Sequence, residues 1–209
     1  KGNPGRTGEV VGPGPSGPVA TLWSIPTAGP IRSAPIAIGD TMYLVAGDRR
    51  VVAIDIATGA QQWASAEDGY AGTLATFGDQ LFVLGEDGSM SALAMASGEP
   101  LWKTAGDFLP DSSPLVIDDL VIAGGSDFRL RALDAATGTE RWAATTGGAL
   151  PRGPSTADGR IHVGSSDGGL YAFDARTGTQ LWHVQTPGPA HATTAVRDGV
   201  VYASANNTN

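Results

Sequence analysis

The sequence predicts an all-β fold, a β-propeller of four-stranded antiparallel blades, and three observations carry that prediction. The five tryptophans, Trp23, Trp63, Trp102, Trp142 and Trp182, stand 40, 39, 40 and 40 residues apart. A fixed period near this length marks stacked supersecondary units, either propeller blades or paired-helix solenoids. The chain holds 30 Gly and 14 Pro in 209 residues with no collagen-like period, which suits many tight turns and not helices. Each period also contains one short β-rich run, at residues 42–45, 81–84, 120–122, 160–163 and 200–202. These runs are too short for helices and lead into turn chemistry such as Asp87-Gly88 and Asp167-Gly168.

Each unit reads as four strands, A to D from the axis outward. In the first unit A covers residues 32–38, B 41–46, C 51–55 and D 60–64. The B runs are almost continuously apolar because a blade is covered on both faces by its neighbours. Pro35, Pro114 and Pro154 share one place in the repeat and are expected inside strand A, an inner edge where a missing N–H breaks no ladder bond. The blades then cover about 31–65, 70–104, 110–144 and 150–184, with a partial fifth at 190–209. Residues 19–25, with Trp23, read as an outermost strand belonging to a closing blade, and residues 1–19 as a Gly/Pro-rich lead-in. The fifth unit supplies strands A and B but no C, so a five-bladed ring would carry a gap. A piece of a seven- or eight-bladed ring is the expected reading, since intact proteins avoid exposed strand edges.

Composition narrows the function classes. A formal net charge of −8 opposes attraction to nucleic acid or to an anionic membrane surface. The absence of cysteine removes disulfides, thiolate metal sites and cysteine nucleophiles from this segment, and no apolar run has the length of a membrane span.

The end of each unit carries a motif. Ala53-x-Asp55-x-x-Thr58-Gly59-x-x-x-Trp63 recurs in the same frame at Ala132, Asp134, Thr137, Gly138, Trp142 and at Ala172, Asp174, Thr177, Gly178, Trp182. A degenerate copy has Ala94 and Ser97 in place of Asp and Thr, before Gly98 and Trp102. The Asp can accept turn N–H bonds, the Gly supplies a positive φ, and the Trp buries an indole between blades while its N–H finds a carbonyl. The second blade, lacking the Asp, is expected to be the softest. This pattern resembles the tryptophan-docking motif of pyrroloquinoline-quinone-type (PQQ-like) propellers, the quinoprotein-type repeat family, and the resemblance covers residues from about 20 to 209.

Candidate ligand positions follow from the repeat register. Propeller sites gather where the A strands begin, and the polar residues there are Arg32, Asp111, Arg152 and His191. They form an expected channel-mouth cluster for an anion or polar ligand, although any wet channel mouth carries polar residues. His162 and His183 read as packing residues. Asp48, Asp87, Asp127 and Asp167 recur at the B–C turns, where bonding their own backbone explains them more simply than a metal does. No His, Asp or Glu pair shows metal-ligand spacing. The stretch from Gly12 to Gly17 fits G-x-G-x-x-G only with two prolines inside and no helix behind, so it reads as a linker, and the string Asn206-Asn207-Thr208 sits where a polar hairpin turn is due.

The resemblance implies a non-catalytic scaffold, protein-interaction or ligand-sensing propeller, BamB-like or akin to the extracytoplasmic sensor domain of a bacterial serine/threonine kinase. Its partner would be a protein or a small polar ligand, with no cofactor, in the periplasm or outside the cell. The alternative is a fragment of a PQQ-dependent alcohol or sugar dehydrogenase, with PQQ and Ca²⁺ over the channel. Such enzymes resemble an eight-bladed ring with an adjacent cysteine disulfide under the quinone, which this segment lacks.

Overall fold

The computed structural model describes residues 20–27, 29–31, 33–110, 112–190, 193–197 and 199–205. The lead-in expected at residues 1–19 lies outside them.

Among the described residues, eighteen strands form five antiparallel sheets in chain order. Blade one is β1 (Ile36–Ile38), β2 (Thr41–Val45), β3 (Val51–Asp55) and β4 (Gln61–Ala64). Blade two is β5 (Tyr70–Phe77), β6 (Gln80–Gly85), β7 (Met90–Ala94) and β8 (Pro100–Thr104). Blade three is β9 (Leu115–Ile117), β10 (Leu120–Gly124), β11 (Arg129–Asp134) and β12 (Glu140–Thr145). Blade four is β13 (Ser155–Ala157), β14 (Arg160–Gly164), β15 (Gly169–Asp174) and β16 (Gln180–Gln185). The fifth sheet has two strands, β17 (Ala195–Arg197) and β18 (Val200–Tyr202). This is the all-β, repeated four-stranded architecture that the tryptophan period predicts.

The core lies between sheets, because the side chains of one strand alternate toward two neighbours. In β6, Leu81 and Val83 pack with Tyr43, Val45 and Val51 of blade one, while Phe82 and Leu84 pack with Val121 and Ala123 of blade three. In β10, Leu120 and Ile122 turn to Ile161 and Val163 of blade four. Each fully buried side chain of this kind contributes about 1.5–3 kcal/mol relative to exposure. A strand packed on both faces must be apolar at every position, and β6 is buried from Leu81 to Gly85.

Two details depart from the sequence reading. Pro35, Pro114 and Pro154 stand immediately before β1, β9 and β13, not inside them. Without an N–H each proline delays pairing, so these first strands are only three residues long. Blade two has Leu74 in that place, and β5 runs for eight residues, with a register break between Ala71 and Ala75. At the break Gly72 takes φ +73° and lies so near the Ser112 carbonyl that an added Cβ would stand 2.9 Å from it. The inner edges also meet where the buried Ser155 hydroxyl bonds Thr194, immediately before β17. Of the outer strand expected at residues 19–25 for a closing blade, residues 20–25 are described, and they pair with no strand among the described residues.

Candidate functional site

Strand direction alternates, so the B–C turns and the segments entering each first strand share one face of a blade, while the A–B and C–D turns share the other. The repeated residues sort onto these two faces.

The C–D turns carry the tryptophan seams. Trp63 Nε1 donates to the Met95 carbonyl at 3.1 Å, Trp102 to Ala135 at 2.9 Å and Trp142 to Ala175 at 3.0 Å, so each indole reaches the next blade. Trp23 does the same, donating to Ile56 at 2.6 Å, and its ring is so close to Gly59 that a Cβ there would stand 2.7 Å away. Gly98, Gly138 and Gly178 lie likewise against Trp63, Trp102 and Trp142, each with φ between +70° and +74°. The other side of the indole meets its own blade's second strand, with ring centres 5.9 Å apart for Tyr43 and Trp63, 5.8 Å for Phe82 and Trp102, and 5.6 Å for His162 and Trp182.

The aspartates of these turns act as acceptors. Asp55 Oδ1 takes the Thr58 hydroxyl at 2.7 Å and its N–H at 2.8 Å, and Asp134 and Asp174 take Thr137 and Thr177 in the same way. The threonine hydroxyl, followed by the turn amides, holds all three carboxyls below the usual range. In blade two Ala94 supplies no carboxylate; the Ala94 carbonyl takes the Ser97 and Gly98 N–H groups, and the Ser97 hydroxyl accepts from the Glu99 N–H at 3.3 Å.

On the opposite face the B–C aspartates bind their own turns. Asp48, Asp87, Asp127 and Asp167 each accept the N–H two residues on, from Arg50, Ser89, Arg129 and Gly169. Three have a further partner of a different kind. Asp87 pairs with Lys103 of β8 at 2.9 Å, Asp127 with both terminal guanidinium nitrogens of Arg131, and Asp167 with the Tyr171 hydroxyl at 2.5 Å. The Ser89 hydroxyl and Lys103 bring Asp87 down to about 2. Arg131 lowers Asp127, and Asp167 stays below the usual range despite burial because Tyr171 and the Gly169 N–H bond it.

Of the channel-mouth candidates, Arg32, Asp111 and His191 lie outside the described residues, while Arg152 is exposed just before β13. Both remaining histidines pack. His183 stacks on Tyr171 with centres 4.3 Å apart, and His162 is buried, its charged form disfavoured first by burial and then by Arg160.

Sequence reading passed over Arg131, Tyr171 and Lys103. The first two stand four residues after their turn aspartate, a signal visible once the B–C turns are set in register.

Known proteins place this geometry. The family profile described as outer membrane protein assembly factor BamB matches residues 18–105, 65–151 and 126–208. No curated protein matches the chain in sequence. Among solved structures, BamB from Moraxella catarrhalis is similar with a TM-score of 0.76 at 22% identity, over 86% of this chain and 60% of that one. Quinohemoprotein alcohol dehydrogenase from Comamonas testosteroni reaches 0.71 at 18% identity, over 85% of this chain and 39% of that one. The computationally designed Ika8 protein reaches 0.70 at 18% identity, over 82% and 54%. At these identities the structures speak to fold alone, and this chain spans less than two thirds of each. The profile runs through every repeat described above, and on that ground the chain belongs to the BamB-like family of PQQ-repeat propellers.

Proposed function

We propose that this chain is a non-catalytic scaffold that binds a partner protein through the loops of its B–C turn face. The observation that carries the reading is the commitment of that face's repeated carboxylates to the fold. Asp87, Asp127 and Asp167 are each held by their own turn and by a second side chain, and each lies below its usual pKa. At neutral pH they are ionised acceptors, poorly suited to carrying protons in catalysis. The family description, an outer membrane protein assembly factor, supports the same reading and a location outside the cytoplasm. The channel-mouth residues Arg32, Asp111, Arg152 and His191, expected from the repeat at the starts of the first strands, are proposed as partner contacts.

The test is a calorimetric titration with PQQ, with and without Ca²⁺, followed by photo-crosslinking from Arg152. No heat of binding and a single crosslinked partner protein are expected. Saturable, calcium-dependent binding of PQQ would overturn the scaffold reading in favour of a dehydrogenase fragment.

A further inference from the structure

The B–C turns repeat one backbone shape, and blade three fills it with a side chain that the shape disfavours. The residue after each turn aspartate is left-handed, with φ 65° at Arg49, 76° at Gly88, 67° at Phe128 and 84° at Gly168. This region crowds the Cβ of an L-residue against its own backbone, and a bulky residue there is an outlier. The fold fixes the shape, because the carbonyl of this residue accepts an N–H from the segment entering the next blade. The donors are Tyr70, Phe108, Thr146 and Thr186 in turn. Blades two and four meet the demand with glycine, which adopts it without steric cost. In blade one the Arg49 side chain bonds Glu86 of the next blade and so serves the fold.

Phe128 does neither. It belongs to none of the buried apolar clusters, its ring meets no other ring and no cation among the described residues, and it stays 46% exposed. Exposure alone would mean little, since single apolar side chains are ordinary on a protein surface. Phe77, for instance, is 45% exposed at the end of β5, on the opposite face, and its backbone is not left-handed. Phe128 joins exposure to backbone strain at a place where the same repeat twice uses glycine. Strain of this kind collects where a side chain is held ready for a contact.

Charge narrows what that contact is. Asp107, Asp127 and Glu140 stand with Arg129 and Arg131 about this turn, three carboxylates against two guanidiniums. The whole chain carries a formal charge of −8, so two copies repel, whereas a protein with lysine or arginine around an apolar pocket is attracted. An aromatic ring in a dry pocket, encircled by polar contacts, is the usual make-up of a strong protein contact.

We infer that Phe128 is the anchor of the B–C turn face, seating its ring in an apolar pocket of a partner protein whose rim is basic. The inference rests on the scaffold reading above and narrows it to one residue. To test it, p-benzoyl-phenylalanine is placed in the whole chain at residue 128, and separately at residue 77, and each chain is irradiated in its native host. A discrete adduct with a second protein is expected from residue 128 and none from residue 77. The captured protein, purified, is then titrated with the wild-type chain, with Phe128→Gly and with Phe128→Asn. Both variants are expected to bind at least about tenfold more weakly, and wild-type binding to weaken as salt rises. Their melting temperatures are expected to stay level or rise, because Gly and Asn accept the left-handed backbone. No adduct from residue 128, an equal adduct from residue 77, an adduct of the chain with itself, salt-independent binding, or undiminished affinity in the variants would each overturn the assignment. A fall in both melting temperatures of more than about 3 °C would do the same, by showing that the ring serves its own fold. An adduct from Arg152 without one from residue 128 overturns this inference alone, whereas no adduct from either position overturns the scaffold reading as well.

Discussion

The Trp142 indole donates to the carbonyl of Ala175, 33 residues further along the chain, while Gly178 of the same turn lies flat against its ring. Gly178 has φ +70°, and an added Cβ would stand 2.5 Å from the indole. Gly178→Ala therefore combines a left-handed strain with overpacking at a buried aromatic. The expected loss is about 2–4 kcal/mol, read as a lower urea midpoint.

Blade two lacks the aspartate that caps the other docking turns. The double variant Ala94→Asp with Ser97→Thr restores the acceptor and hydroxyl seen at Asp134 and Thr137. A gain of about 1 kcal/mol is expected from one recovered capping interaction, measured as a higher melting temperature. An unchanged melting temperature means the Ser97 bond to Glu99 already serves the turn.

His162 sets a pH dependence. Burial, followed by the nearby Arg160 charge, lowers its pKa from the ordinary 6.5, with Asp158 opposing. The fifth-sheet residues that line a cavity with it, Val196 and Val201, carry no charge. The unfolded chain thus binds a proton that the folded chain resists. Stability is fully present above about pH 6.5 and declines as pH falls below it. His162→Phe should flatten the decline in melting temperature between neutral and mildly acidic pH.

The carboxylate partners differ in weight. Arg131→Met leaves Asp127 with the Arg129 N–H at 3.3 Å and loses the packing over Phe108. The expected loss is about 2–3 kcal/mol, below the fully buried case because the Asp127 side chain remains 25% exposed. Arg131 lowers the Asp127 pKa from 3.8, so the wild-type pair loses stability as pH falls through that depressed value, and the variant should lose this acid limb. Tyr171→Phe removes one hydroxyl bond to Asp167 and an acceptor for the Gly147 N–H, with an expected loss of about 1–2 kcal/mol. Chemical denaturation from low to neutral pH separates the two.

The fold was legible because its signals repeat. One tryptophan every 40 residues or so, a turn glycine before it and an apolar second strand announce a blade each time they recur. Less legible was the exact start of each first strand, since proline at its edge marks both the limit of pairing and a tolerated inner position, and the structure selects the former. Harder still were contacts that break the repeat. Lys103 serves its aspartate from the last strand of its blade, while Arg131 and Tyr171 serve theirs from the third, and no single spacing rule joins them.

The indole bond that crosses each seam gives the molecule a particular mechanics. Every such link spans 32 or 33 residues and ends on the neighbouring blade, so strain introduced at one seam is felt by two blades and hardly beyond. A chain wired in this way behaves as a row of coupled springs more than as one rigid body. Forced extension or progressive denaturation should release it in blade-sized steps of about 40 residues, each step opening one tryptophan to water.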